Sequence, residues 1–232
     1  MNRTRKYLPS DKMSDLICDN YNLLQVLSRF ELPLGFGDAT VKEVCDNNGV
    51  DCPTFMAVVN FICEDNDRMD NDDIKDISIN SLMSYLKQAH VFFLDFQLPT
   101  IRKKLIEALD NSDNNDVDFL ILKFFDAYVS EVRKHMEYEN KMVFTYVDNL
   151  IAGQATDDFC ISSFARKHSK IEDTLTELKN IIIKYYPSTK SNDLLNGVLF
   201  DVFCCEKDLI SHNRVENFMF VPVVLNIEKE AK

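Results

Sequence analysis

The sequence predicts an all-α protein: an antiparallel up-and-down four-helix bundle that follows a small three-helix N-terminal domain. Only 5 Gly and 6 Pro occur among 232 residues, whereas β-sandwiches and barrels need many turns. Four long segments repeat apolar residues three and four positions apart, the spacing of amphipathic helices. We therefore expect a helical domain at 1–64, an acidic linker at 65–78 and the bundle at 79–232.

Three short helices are predicted in the N-terminal domain. Asp11 or Ser14 could cap a first helix that continues to Arg29. The segment "TVKEVCDNN" predicts a second helix that ends at Gly49, a residue suited to the left-handed position after a helix. The segment "CPTFMAVVNFICE" predicts a third helix with Pro53 in its first turn.

An acidic run, "DNDRMDNDDIKD", separates this domain from the bundle. It contains almost no apolar residues, so we interpret it as a solvated linker. A calcium-binding loop is the alternative, but the run lacks the ligand spacing and the closing Glu of such loops.

The bundle is predicted from four apolar-periodic segments, at 79–110, 115–151, 158–186 and 190–228. Segments of this length joined by short connections are typical of antiparallel four-helix bundles. Pro99 lies inside the first segment and is expected to kink it, because proline removes one backbone hydrogen bond.

Each predicted bundle helix carries one of the four histidines, His90, His135, His168 and His212. The first two are 45 residues apart and the last two are 44 apart, which indicates two helical hairpins related by a pseudo-twofold axis. The segments "HMEYENKM" and "HNRVENFM" also match at four positions. His135, Glu139, Asn140 and Met142 correspond to His212, Glu216, Asn217 and Met219.

A Glu four residues after His135 and another after His212 share a helical face with these histidines. Four imidazoles and two carboxylates, Glu139 and Glu216, suit two iron ions with terminal His ligands and bridging carboxylates. A single zinc ion needs about four ligands, so six is a surplus. The ferritin-like motif runs in the opposite order, Glu-x-x-His, which makes ferritin-type oxidase chemistry a weaker alternative. A bundle without metal is the other alternative.

Three further acids are candidate partners of the metal-binding groups. Glu131 and Asp208 each precede a candidate histidine by four residues and could accept the other N–H of its ring. Glu172 follows His168 by four residues and could assist proton transfer or bind metal.

Residues 79–228 resemble the hemerythrin-like (HHE cation-binding) domain, and in particular the di-iron proteins that repair iron–sulfur clusters (the RIC/ScdA type). The resemblance is carried by "AHVFFLDFQLP", "RKHMEYENKMVF", "ARKHSKIEDTL" and "ISHNRVENFMFVP". It implies that the four histidines, Glu139 and Glu216 bind two non-haem iron ions with oxo and carboxylate bridges. Oxygen-carrying hemerythrins typically have a fifth His, so the resemblance favours redox or NO chemistry over oxygen carriage.

Residues 13–63 resemble the short helical domain that precedes the di-iron domain in the repair proteins (ScdA-N-like). In those proteins the loop after the first helix usually carries adjacent cysteines. Here this loop, "LPLGFG", has no thiol, and Cys45 matches a later Cys of the motif. The missing pair argues against thiol-based repair.

The net charge indicates which classes of partner are unfavourable, and the cysteine content indicates the cellular compartment. A formal net charge of −12 disfavours nucleic acid and anionic membrane surfaces as partners. No apolar run reaches membrane-span length and no signal peptide is recognisable. Seven Cys form no regular framework, which favours free thiols in a reducing cytoplasm, although a zinc site among the N-terminal cysteines is an alternative.

These observations lead to a primary hypothesis and an alternative. The primary hypothesis is a cytoplasmic di-iron protein that binds O₂, NO or peroxide in a stress response or in iron–sulfur cluster repair, with an electron donor or iron–sulfur proteins as partners. Enzymatic reduction of NO or peroxide is left open, as is the oligomeric state, a homodimer included. The alternative is a sensor, or an iron-delivery module, that acts on a protein partner without turnover.

Overall fold

The structure is a computed structural model that describes residues 6–64, 74–109, 115–154, 159–163, 169–186 and 193–230, with the backbone alone at 115, 163 and 169–173. Helices account for nearly all regular structure in these ranges. The described residues contain no strand, and their only β-type pairing is an isolated antiparallel bridge between Lys12 and Thr40. The predicted all-α helical bundle is confirmed. None of the described helices has both the length and the hydrophobicity that a membrane span requires.

Eleven α-helices are described, and we number them in chain order. They are α1 Met13–Asp19, α2 Leu23–Arg29, α3 Val41–Asn48, α4 Cys52–Cys63, α5 Ile79–Val91, α6 Leu98–Leu109, α7 Asn115–Tyr138, α8 Phe144–Ile151, α9 Ser169–Tyr185, α10 Asp193–Val215 and α11 Val221–Glu230. Three π-helical segments interrupt them, and a short 3₁₀ helix follows α8. These are π1 Phe92–Gln97, π2 Glu139–Val143, π3 Glu216–Phe220 and the 3₁₀ helix Ile161–Ser163.

The first predicted helix is in fact two helices, α1 and α2, that are broken at Asn20. Asn20 is extended, and its side-chain oxygen accepts a hydrogen bond from the backbone N–H of Asn22. Such local side-chain bonds compete with helical ones, which explains the break. The expected caps were wrong as well: Lys12 occupies the N-cap of α1 and its side chain does not cap the helix, while Asp11 accepts from the N–H of Leu8.

The next two helices agree with their sequence signals. Helix α3 begins with a capping box between Thr40 and Glu43 and ends at Gly49, whose φ of 67° is left-handed. Asp51 caps α4 by accepting from the N–H of Thr54, and Pro53 lies in the first turn. The predicted linker falls mostly on 65–73, outside the described residues.

Each π segment lies between two α-helices, with no loop on either side. At the end of each, a backbone N–H bonds to the carbonyl five residues earlier: Leu98 to Phe93, Phe144 to Glu139 and Val221 to Glu216. The first of them, π1, ends at Gln97, two residues before Pro99, and the kink expected at Pro99 stays a prediction. Isolated π turns often occur at functional sites, which directs attention to the glutamates that start π2 and π3.

One of two compact units comprises Met1–Ala89, Val147–Ser162 and Ser211–Lys232. Within it, helices α2 and α4 contact the segments that carry candidate ligands. The Phe30 ring lies 5.1 Å from the Tyr85 ring of α5, and Arg29 donates to the Tyr85 hydroxyl. The Phe61 ring lies 6.4 Å from the Phe218 ring of π3.

The other unit comprises His90–Tyr146 and Ser163–Ile210, and ion pairs join its helices. Arg102 of α6 forms two hydrogen bonds with Asp126 of α7, at 2.7 and 2.9 Å. Lys179 of α9 pairs with Glu206 of α10. The domain boundaries predicted from the sequence stay a prediction.

Candidate metal centre

The carboxylate of Glu139, the first residue of π2, faces two imidazoles. Its Oε1 lies 2.8 Å from Nε2 of His135, four residues earlier on α7. Its Oε2 lies 3.3 Å from Nε2 of His90, the penultimate residue of α5. The side chains of Glu139 and His90 are 0% and 1% exposed, whereas that of His135 is 16% exposed. A buried carboxylate therefore meets the Nε2 edges of two imidazoles.

Two further residues of the same stretch hold the His90 ring. Nδ1 of His90 lies 2.9 Å from Oδ1 of Asn140. The Phe144 ring stacks against the imidazole, with centroids 5.6 Å apart and an interplanar angle of 24°. With Nδ1 directed at an amide and Nε2 directed at Glu139, the edge available to a metal is Nε2.

The matching segment repeats the His–Glu pair. Oε1 of Glu216, the first residue of π3, lies 3.4 Å from Nε2 of His212 at the end of α10. The two side chains are 1% and 2% exposed. The spacing of four residues brings imidazole and carboxylate onto one helical face, as the sequence predicted.

Each compact unit contains buried donors that could hold a metal ion. In one unit, the Glu139 carboxylate faces His90 and His135. In the other unit, the Glu216 carboxylate faces His212.

The chemistry of this donor set fits a bound cation. Burying a carboxylate away from water is costly unless a positive charge or hydrogen bonds compensate it. Here two carboxylates that are at most 1% exposed lie against imidazole nitrogens. Nitrogen and oxygen donors of this kind suit iron, manganese or zinc. Because each carboxylate already lies against an imidazole nitrogen, both groups of donors are arranged for a cation.

All the predicted site residues stay predictions, and the structure describes some of them only in part. His168 lies outside the described residues, and so does the side chain of Glu172. Glu131 is exposed and Asp208 is half-buried. Asn140, by contrast, contacts a candidate ligand although the sequence had assigned it no role. The signal was present, because Asn follows Glu in both matching segments.

The family model of the Hemerythrin HHE cation binding domain matches residues 83–224, more than half of the chain. The chain belongs to this family. All six ligands predicted for this HHE domain lie within the matched residues. No curated protein and no solved structure matches the chain. Membership of the HHE family confirms a hemerythrin-like, metal-binding protein, and the likeness to cluster-repair proteins stays a prediction.

Proposed function

We propose that this HHE protein is a non-haem di-iron protein that binds O₂, NO or peroxide in a response to nitrosative or oxidative stress. The observation that carries the proposal is the buried Glu139 carboxylate between the Nε2 atoms of His90 and His135. His212 and Glu216 supply a second pair of the same kind, and His168 is the sixth proposed ligand.

Within this proposal, the chain's residues orient the ligands and exclude water. Two iron ions held by four imidazoles and two carboxylates would supply positions where a diatomic molecule or peroxide binds. His90, His212 and both glutamates are at most 2% exposed, so the surroundings of the metal would be dry and of low polarity. His135 is the most exposed of these ligands, and we expect small molecules to approach beside it.

The thiols favour metal chemistry over thiol chemistry. The seven cysteines, all among the described residues, form no disulfide, in keeping with a reducing cytoplasm, where we place the protein. Cys45, the one cysteine that matches the N-terminal motif of the repair proteins, is buried, and burial raises its pKa to about 12. A thiol with such a pKa is protonated at neutral pH and is a poor nucleophile. If the protein repairs iron–sulfur clusters, we expect iron and not Cys45 to do the chemistry.

The decisive experiment measures metal per chain and the visible absorption spectrum of protein purified from iron-supplied cells. We expect two iron ions per chain and the absorption of a di-iron(III) centre. Anaerobically reduced protein should then consume NO or peroxide over many turnovers with an added electron donor. A folded protein that binds no stoichiometric metal would contradict the di-iron proposal. Two equivalents of manganese or zinc in place of iron would contradict the assignment of iron.

A sensor is the second candidate, and contacts of the N-terminal helices favour it. Phe30 and Arg29 contact Tyr85, five residues before His90, and Phe61 contacts Phe218, two residues after Glu216. A change at either ligand could therefore alter the packing of α2 or α4. Hydrogen exchange in α1–α4 that changes on NO binding, without turnover, would support the sensor. Rapid transfer of iron to an apo-cluster protein would instead support iron delivery.

A further inference from the structure

The His90 imidazole is held by one short stretch of chain. Glu139 faces its Nε2 at 3.3 Å, Asn140 faces its Nδ1 at 2.9 Å and Phe144 stacks on its ring. These contacts restrain both nitrogens and one face of a side chain that is 1% exposed. The stretch therefore determines the orientation of the ring.

The π turn brings these three residues together. The N–H of Phe144 bonds to the carbonyl of Glu139, five residues earlier. In a regular α-helix the residue bonded to that carbonyl would be Val143. The wider turn thus places an aromatic ring, and not a valine, one turn beyond the glutamate. It also leaves Asn140 free to reach the far edge of the imidazole.

The side chain four residues before His90 differs from those before His135 and His212, because it is not an acceptor. Glu131 and Asp208 lie four residues before His135 and His212, whereas the corresponding residue before His90 is the buried Leu86. An imidazole that binds metal through Nε2 carries its proton on Nδ1, and that N–H requires an acceptor. Asn140 is the residue that meets Nδ1.

We propose that Asn140 is a positioning residue: its amide oxygen accepts the Nδ1–H of His90 and so directs the Nε2 lone pair towards the metal. The proposal rests on the proposed metal-binding function. An amide holds the tautomer without adding a charge next to the buried Glu139 carboxylate, whereas an aspartate would add one. Asn217 follows Glu216 in the same way and is the expected counterpart in the matching segment.

The direct test is nitrogen-15 NMR of the histidine side chains in the full chain, both metal-free and loaded with diamagnetic zinc. The wild-type protein should show a slowly exchanging Nδ1–H on His90, which is assignable because the chain has only four histidines. Asn140→Leu, which replaces the acceptor with an apolar group of similar size, should remove the slow exchange. Asn140→Asp should preserve it. Met142→Leu, at a 51% exposed position of the same π segment, is the matched control and should leave it unchanged.

Metal binding gives a second readout. Loss of a hydrogen bond to a ligating histidine typically lowers metal affinity about 10- to 100-fold, and we expect this for Asn140→Leu. Asn140→Asp should retain the affinity but lower the reduction potential of bound iron, because it adds a negative charge. A purely structural role would lower the thermal stability of both variants and leave the metal affinity of Asn140→Leu unchanged.

Different results would contradict the role of Asn140 and the di-iron function. An unprotonated Nδ1 on wild-type His90, or slow exchange that persists in Asn140→Leu, would overturn the role of Asn140 even if the protein binds two metals. A wild-type protein that shows the protected Nδ1–H but binds no metal would overturn the di-iron function. If Asn140→Leu does not fold, the protonation and exchange of His90 Nδ1 in the wild-type spectrum still test the hydrogen bond.

Discussion

The two matching segments, 135–144 and 212–221, have the same type of π turn but differ in how exposed their side chains are. In both, a π turn starts at the glutamate, whose carbonyl accepts from the residue five positions later. That later residue is Phe144 in one segment and Val221 in the other. The histidine of the first segment is 16% exposed and that of the second is 2% exposed. The same turn therefore places the ligands in both segments, while the flanking residues determine which ligand water can reach.

A similar contrast separates two ion pairs. Arg102 and Asp126, which join α6 and α7, are 46% and 45% exposed. Lys179 and Glu206, which join α9 and α10, are 10% and 16% exposed. Glu206 also accepts from the Thr176 hydroxyl at 2.8 Å, and the Lys179 ammonium lies 4.5 Å from the centre of the Phe203 ring. Pairs of equal formal charge thus occupy very different dielectric surroundings.

The largest expected effect tests whether the two glutamates are equivalent. Since both start a π turn and face the histidine four residues earlier, Glu139→Ala and Glu216→Ala should each lower bound metal from two ions per chain to less than one. Elemental analysis of the purified proteins measures this. Glu137→Ala, two residues from Glu139 and paired with the exposed Lys141, is the control and should retain both ions. A variant at either glutamate that keeps two ions would show that the segments are not equivalent.

The next prediction uses the difference in exposure of two histidines. His135→Ala and His212→Ala should each weaken metal binding by at least ~100-fold, since each removes a proposed ligand. Millimolar imidazole in solution should restore binding to His135→Ala, because that position is open to solvent. It should not restore binding to His212→Ala, whose site is buried. Equal rescue of the two variants, measured by metal titration, would contradict the proposed route of access.

The buried ion pair should contribute more to stability than the exposed one. Glu206→Gln leaves the Lys179 ammonium without its charged partner in a poorly solvated position, and we expect a loss of about 3 kcal/mol in the free energy of unfolding. The control Asp126→Asn should cost only about 0.5 kcal/mol, because the Arg102 pair is solvated. Denaturant titrations of the metal-free proteins measure both. Similar losses would mean that Lys179 reaches solvent when its partner is neutral.

The features that could be predicted from the sequence are those with a short, regular spacing. Apolar residues three and four apart predict long helices, and His and Glu four apart predict a shared helical face. The π turns could not be predicted, since one extra residue in a turn depends on packing against neighbouring helices. The contact between His90 and Asn140 joins residues 50 positions apart, and no local pattern reports it. The break at Asn20 was missed because a helix-compatible apolar pattern runs across it.

The smallest expected effect concerns the pH dependence of the exposed pair. The hydrogen bond from Arg102 holds the pKa of Asp126 below its ordinary value. A group whose pKa is lowered by folding stabilises the protein above its unfolded pKa, about 3.9 for Asp, and loses that contribution as pH falls through the folded value. The difference in stability between the wild type and Asp126→Asn, a few tenths of a kcal/mol for so solvated a pair, should therefore vanish in acid. Denaturant titrations of metal-free protein at several pH values below 5 measure this without a contribution from metal release. A difference that stays constant into acid would show that Asp126 stabilises the α6–α7 contact by packing and not by charge.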